Sequence, residues 1–125
     1  MIALILSLFL LVGPTVPADA PYGSVESAFK SGDASSLAGM CKDKVLINIL
    51  DDERAYSQSQ ATQVLKSFFS KYPSSSFSFI HKSSGSGEGA FGIGNYKSGS
   101  KEFRVTVHFK KIGGSFKIDS ISIEN

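Results

Sequence analysis

The sequence predicts an α+β domain: two short helices, a strand pair, and one long helix packed on a curved antiparallel sheet finished by a four-strand meander. Three observations carry this. Ala61, Val64, Leu65, Phe68, Phe69 and Tyr72 recur at helical spacing and form one apolar stripe. After Pro73 the apolar period changes to two. Helical segments gather early in the chain and strands late, the order of α+β domains and not of parallel α/β ones.

Each element follows from local chemistry. Tyr22, Val25 and Phe29 lie at three- and four-residue spacing and predict a short helix that Gly32 stops. Asp33 is placed to cap a second helix through Ala34, Leu37 and Met40, because its carboxylate can accept first-turn amides. Val45 to Leu50 is aliphatic and β-branched and reads as a strand. Asp51-Asp52-Glu53 interrupts it as a turn, with a return strand around Arg54-Ala55-Tyr56. Ser57 and Gln60 match a capping box at the start of the long helix, and Pro73 ends it.

Phe77 and Phe79 then alternate with serines, Ala90 to Tyr96 follows, and Phe103, Val105, Val107 and Phe109 alternate with Arg104, Thr106 and His108. Phe116 and Ile118 open the last strand, and Ile121 and Ile123 continue on the opposite parity. That break predicts a bulge near Asp119-Ser120. Ser83-Ser84-Gly85, Ser98-Gly99-Ser100 and Gly113-Gly114 supply the turns.

The N-terminus predicts an address. From Met1 to Val12 the only polar side chain is Ser7. About a dozen apolar residues is too short for a spanning helix and suits a secretory leader. No Lys or Arg precedes the run, which suggests a start upstream of Met1. A buried helix is disfavoured by Gly13, Pro14 and Pro17. Small residues before the cut give two sites. Val16-Pro17-Ala18 leaves Asp19 first and is preferred; Ala18-Asp19-Ala20 leaves Pro21, a poor residue just after a cut. The expectation is a signal peptide over residues 1–18 and one domain over 21–125. The protein would then be periplasmic, envelope-associated or secreted, touching membrane only through the transient leader.

Hydrophobic content of 42% and a net charge of +2 fit a globular domain and argue against nucleic acid as a partner. The single cysteine, Cys41, excludes an internal disulfide. Leu37-Ala38-Gly39 hints at a lipid-anchor motif, but Met40 intervenes, so Cys41 reads as a small buried hydrophobe.

Ala28-Phe29-Lys30-Ser31-Gly32-Asp33-Ala34, Tyr56-Ser57, Phe68-Phe69-Ser70-Lys71, Phe103-Arg104-Val105 and Lys110-Lys111-Ile112-Gly113-Gly114 occur in an order that resembles the exported bacterial domain-of-unknown-function family 4783. That family sits within the cone-shaped, cystatin-like superfamily that includes nuclear transport factor 2, ketosteroid isomerase and scytalone dehydratase. The resemblance spans Val25 to Glu124. It implies the fold and an export route, and it brings no reaction with it.

Enzymes of this fold class place a carboxylate base inside the cone. Here the strand around Phe103 turns only apolar residues inward, and Asp119 is the one late-strand acid at an ambiguous position. The ligand-pocket candidates are Tyr56, Phe68, Phe79, His81, Tyr96 and Phe103, with His81 sharing the parity of Phe77 and Phe79. His108 reads as outward. Two histidines and one cysteine at wide spacing make no metal site, and no cofactor is expected. Gly87-Glu88-Gly89-Ala90-Phe91-Gly92 matches a dinucleotide pattern but lacks the strand-then-helix setting, so Gly92 and Gly94 read as points where the sheet bends, in preference to points where another backbone or a ligand approaches. Lys101, Arg104, Lys110, Lys111 and Lys117 predict a basic stripe without interleaved aromatics.

The expected function is therefore a non-catalytic module that binds a small apolar ligand or a protein partner, with a homodimer through the sheet as one form. The alternative is a small isomerase- or dehydratase-like enzyme using the cone pocket.

Overall fold

A computed structural model describes residues 20–83 and 88–125. The predicted leader lies outside these residues, as do most of the Ser83-Ser84-Gly85 turn and Gly87 of the glycine motif. The order is α1 (Tyr22–Ser31), α2 (Ala34–Gly39), β1 (Cys41–Ile49), β2 (Asp52–Ser57), α3 (Gln58–Lys71), β3 (Ser76–Lys82), β4 (Gly89–Ser98), β5 (Lys101–Ile112) and β6 (Ser115–Glu124). The predicted α+β class and its element order hold.

The helix ends are set by the predicted groups. Gly32 closes α1 in the left-handed region at φ 68°, where a side chain would be strained. Asp33 accepts the Ser36 amide at 3.1 Å. Ser57 and Gln60 form a reciprocal capping box at the start of α3. The β1–β2 turn differs from expectation. Asp52 and Glu53 belong to β2, and the turn is Leu50-Asp51, both left-handed at φ 51° and 76°. That backbone lets a two-residue connection follow the strand twist.

One six-stranded sheet runs β2-β1-β6-β5-β4-β3. β3 to β6 form the predicted antiparallel meander. The sheet is mixed and not wholly antiparallel, because β1 joins β6 in parallel. That pairing joins elements from opposite ends of the chain, so local periodicity does not announce it.

Two bulges decide which side chains face the helices. In β6, Ile118 pairs with Phe109 and Ser120 with His108, so Asp119 is the extra residue. Ile118 and Ile121 therefore both turn inward and are buried. In β3, Phe79 pairs with Gly94 and His81 with Ile93, so Ile80 is the extra residue. The three helices cover the inner face. Val45, Ile47, Tyr96, Phe103, Val105, Val107, Ile121 and Ile123 meet Val25, Phe29, Leu37 and Leu65 in one buried core.

Candidate functional site

The inner face is where a pocket was expected, and the chain's own rings occupy it. A Cβ on Gly94 would stand 2.5 Å from the Phe77 ring and 2.8 Å from the Ser78 carbonyl oxygen. One on Gly92 would stand 2.8 Å from Phe79 and 2.9 Å from Tyr22. These glycines make room for aromatic rings laid across β4. Phe29 stacks on Phe77 at 4.7 Å, and Phe68 meets Tyr96 and Phe103, each at 5.4 Å. The Tyr96 hydroxyl donates to the Tyr72 carbonyl at 2.6 Å, and burial pushes its pKa up to about 12. Burial likewise pushes the Cys41 thiol up to about 12, so it is an inert core group and no nucleophile.

The six pocket candidates are not brought together. Phe68, Tyr96 and Phe103 touch one another as core. Phe79 lies on β3 against Tyr22. Tyr56 is half-buried on β2, at the opposite edge of the sheet. His81 is on the other face altogether, because the Ile80 bulge reverses the parity that joined it to Phe77 and Phe79. Asp119 pairs with Lys42 at 2.6 Å, both partly exposed. Among the described residues no carboxylate, histidine, lysine or arginine is buried, and no group of three His, Cys, Asp or Glu side chains is placed to hold a metal.

The outer face carries the arrangement that sequence reasoning missed. His81, Phe91 and His108 form a row across β3, β4 and β5, with ring centroids 5.4 and 5.8 Å apart. The signal was parity. With Ala90, Gly92, Gly94 and Tyr96 buried, Phe91 and Ile93 must point outward. The Ile80 bulge had no comparable signature. Ile80, 55% exposed, adds apolar surface at the same edge.

The expected basic stripe divides. Arg104, Lys110 and Lys117 have outward parity, whereas Lys101 and Lys111 follow the inward parity at strand ends, and Lys111 reaches over the Phe116 ring. Lys110 stands directly opposite Lys117, a like-charge pair, and neither forms an ion pair among the described residues. Phe91 thus does interleave with this basic face. One phenylalanine framed by histidines is still no stacking series for successive bases.

A three-helix cover on an open six-stranded mixed sheet defines a cone-shaped, cystatin-like α+β domain. A protein of the cystatin-like fold from Nostoc punctiforme matches it with TM-score 0.63 at 8% identity, over 82% of this chain and 70% of that one. A protein of unknown function from Silicibacter pomeroyi, similar to nuclear transport factor 2, matches with TM-score 0.58 at 13% identity, over 82% and 87%. Both likenesses are of fold alone. The chain belongs to the domain-of-unknown-function family DUF4783, whose model matches residues 22–124. A member of that family from Bacteroides uniformis is similar at 28% identity and TM-score 0.78, over 82% of this chain and 94% of that chain. No curated protein matches the sequence.

Proposed function

We propose that this chain is an exported, non-catalytic protein-interaction module whose contact surface is the outer sheet face around His81, Phe91 and His108. One observation carries the reading: the inner face is filled by the chain's own rings, with no buried acid or base among the described residues, while the outer row is left open. The occupant is an acidic protein segment with an apolar side chain at its centre. Lys110 and Lys117 are register partners with no ion pair among the described residues, a like-charge contact that an acidic partner relieves. Phenylalanine is also among the residue types enriched at interfaces. Export is supported by the apolar leader of residues 1–12 and the small residues that follow it. Among the described residues no helix is long and apolar enough to cross a membrane.

A photo-crosslinking residue placed at Ile93, on the outer face, tests this against one at Gln63 on the exposed side of α3. Ile93 should give an adduct with one discrete acidic protein and Gln63 none. The purified pair should bind about tenfold more weakly when Lys110 and Lys117 are both changed to Glu. An adduct with a second copy of this chain, a small apolar molecule retained in the interior, or a complex indifferent to the charge reversal would overturn the proposal.

A further inference from the structure

Resting on the contact surface proposed above, we infer that the partner's acidic segment crosses the strands in extended form, with one apolar side chain on Phe91 and a second, four residues along, on Leu46. Leu46 lies on β1 between Val45 and Ile47, both fully buried, so strand alternation turns it to the outer face. It is 41% exposed, and with Ile80 and Ile112 it is one of the large apolar side chains left open among the described residues. Register joins it to the aromatic row. Phe91 stands opposite His108, His108 opposite Ser120, and Ser120 opposite Leu46. Ala55 on β2 ends the line. The Asp119 bulge puts Ser120 on the outer face, and the parallel β1–β6 pairing brings Leu46 beside it.

The line therefore offers an apolar side chain at each end, with an imidazole and a hydroxyl between them and no carboxylate. Its two flanks differ. On one side Ile93, Thr106, Ser122 and Asn48 are uncharged. On the other stand Lys110 and Lys117, where Asp119 is already paired with Lys42 at 2.6 Å. Partner carboxylates thus have two free lysines to meet along one flank. Spacing sets the form of the segment. Three strand intervals separate Phe91 from Leu46, about 14 Å. An extended chain rises about 3.3 Å per residue and returns to one side every second residue, so residues four apart stand about 13 Å apart. The helical repeats of seven and eleven residues give about 10.5 and 16.5 Å and miss the span. The midway residue of the segment falls between His108 and Ser120, and His108 is followed along the same face of β5 by Lys110. That position takes the acid: the partner motif is apolar, any, acidic, any, apolar.

The full chain and the acidic protein captured at Ile93 serve for the test. A photo-crosslinking residue at Ala55, exposed at the far end of the line, should capture the same protein. Digestion and mass spectrometry should place the Ala55 and Ile93 adducts in one segment, no more than about eight residues apart. Phe91→Ser and Leu46→Ser should each weaken the purified pair about tenfold, and Ile112→Ser, exposed but off the line, less than about twofold. Urea denaturation establishes that each variant is folded. An arm that leaves this chain unaltered inserts one residue between the two apolar positions of the mapped segment, which turns one of them away and should also cost about tenfold. Loss with Phe91→Ser but not with Leu46→Ser, adducts in separate segments, or indifference to the insertion overturns the inference and leaves the contact surface standing. Indifference to both serine variants on the line removes the contact surface, and the inference falls with it.

Discussion

On the inner face of the sheet, Phe77 and Phe79 lie over Gly94 and Gly92, and each of these two rings packs against the other and against a ring from α1. On the outer face, Phe91 stands between two exposed histidines, Ile80 is half in solvent, and two lysines oppose each other. The same β4 supplies both sets, alternating residue by residue. Inside, the residue choice is explained by packing. Outside, a phenylalanine in a row of histidines and a like-charge pair add little to folding. Groups that folding does not account for are the ones to assign to recognition.

The largest effect should come from emptying the inside. Phe29 is fully buried and touches Phe69, Phe77 and Tyr96. Phe29→Ala should destabilise by about 3–5 kcal/mol in urea denaturation. A loss under about 1 kcal/mol would mean that the inner face is loosely packed and has room for a ligand. Next comes overfilling. Gly94→Ala should cost about 3 kcal/mol, because the Ser78 carbonyl is strand backbone and cannot step aside. Gly92→Ala should cost less, since its close neighbours are two ring edges. Equal costs would show that the rings do not define the space above β4.

Much of this contrast was written in local pattern. The α3 stripe, the Ser57–Gln60 box, the Asp33 cap and the period-two strands follow from spacing within a few residues, and the fold places them as read. The break of parity at Asp119 was legible because isoleucines flank it on both sides. The Ile80 bulge was not, because Phe79, Ile80 and His81 fit an unbroken strand equally well. His81 therefore changed face. Gly92 and Gly94 signalled a special role, but what lies over them comes from β3 and α1, and the parallel β1–β6 pairing joins the two ends of the chain. Such long-range placements leave no mark on nearby residues.

A third effect concerns pH and belongs to the inner side alone. Cys41 is raised from 9.0 to about 12 and Tyr96 from 10.0 to about 12, both by burial. Folding thus favours the neutral form of each. The stability they contribute is complete below pH 9 and is lost as pH rises, because the unfolded chain releases these protons first. Loss should begin near pH 9 through Cys41 and steepen above pH 10 through Tyr96. Each group adds at most about 1.4 kcal/mol per pH unit. Cys41→Ala should move the onset of alkaline unfolding upward by about one pH unit. An unmoved onset would show that the thiol can ionise in the folded chain.

The smallest effect is the most telling for the outer face. Lys110 and Lys117 are register partners on adjacent antiparallel strands, where opposite charges attract and like charges repel by a few tenths to about 1 kcal/mol. Lys110→Glu converts the pair and should raise stability by about 0.5 kcal/mol in urea denaturation. The same change should weaken the proposed acidic partner's binding. A gain in stability joined to a loss in binding is the signature of a residue kept for recognition at some expense to the fold. A destabilised Lys110→Glu variant would instead give Lys110 a favourable place within the folded chain. The outer face would then be structural in the same sense as the inner one, and the contrast between them would fail.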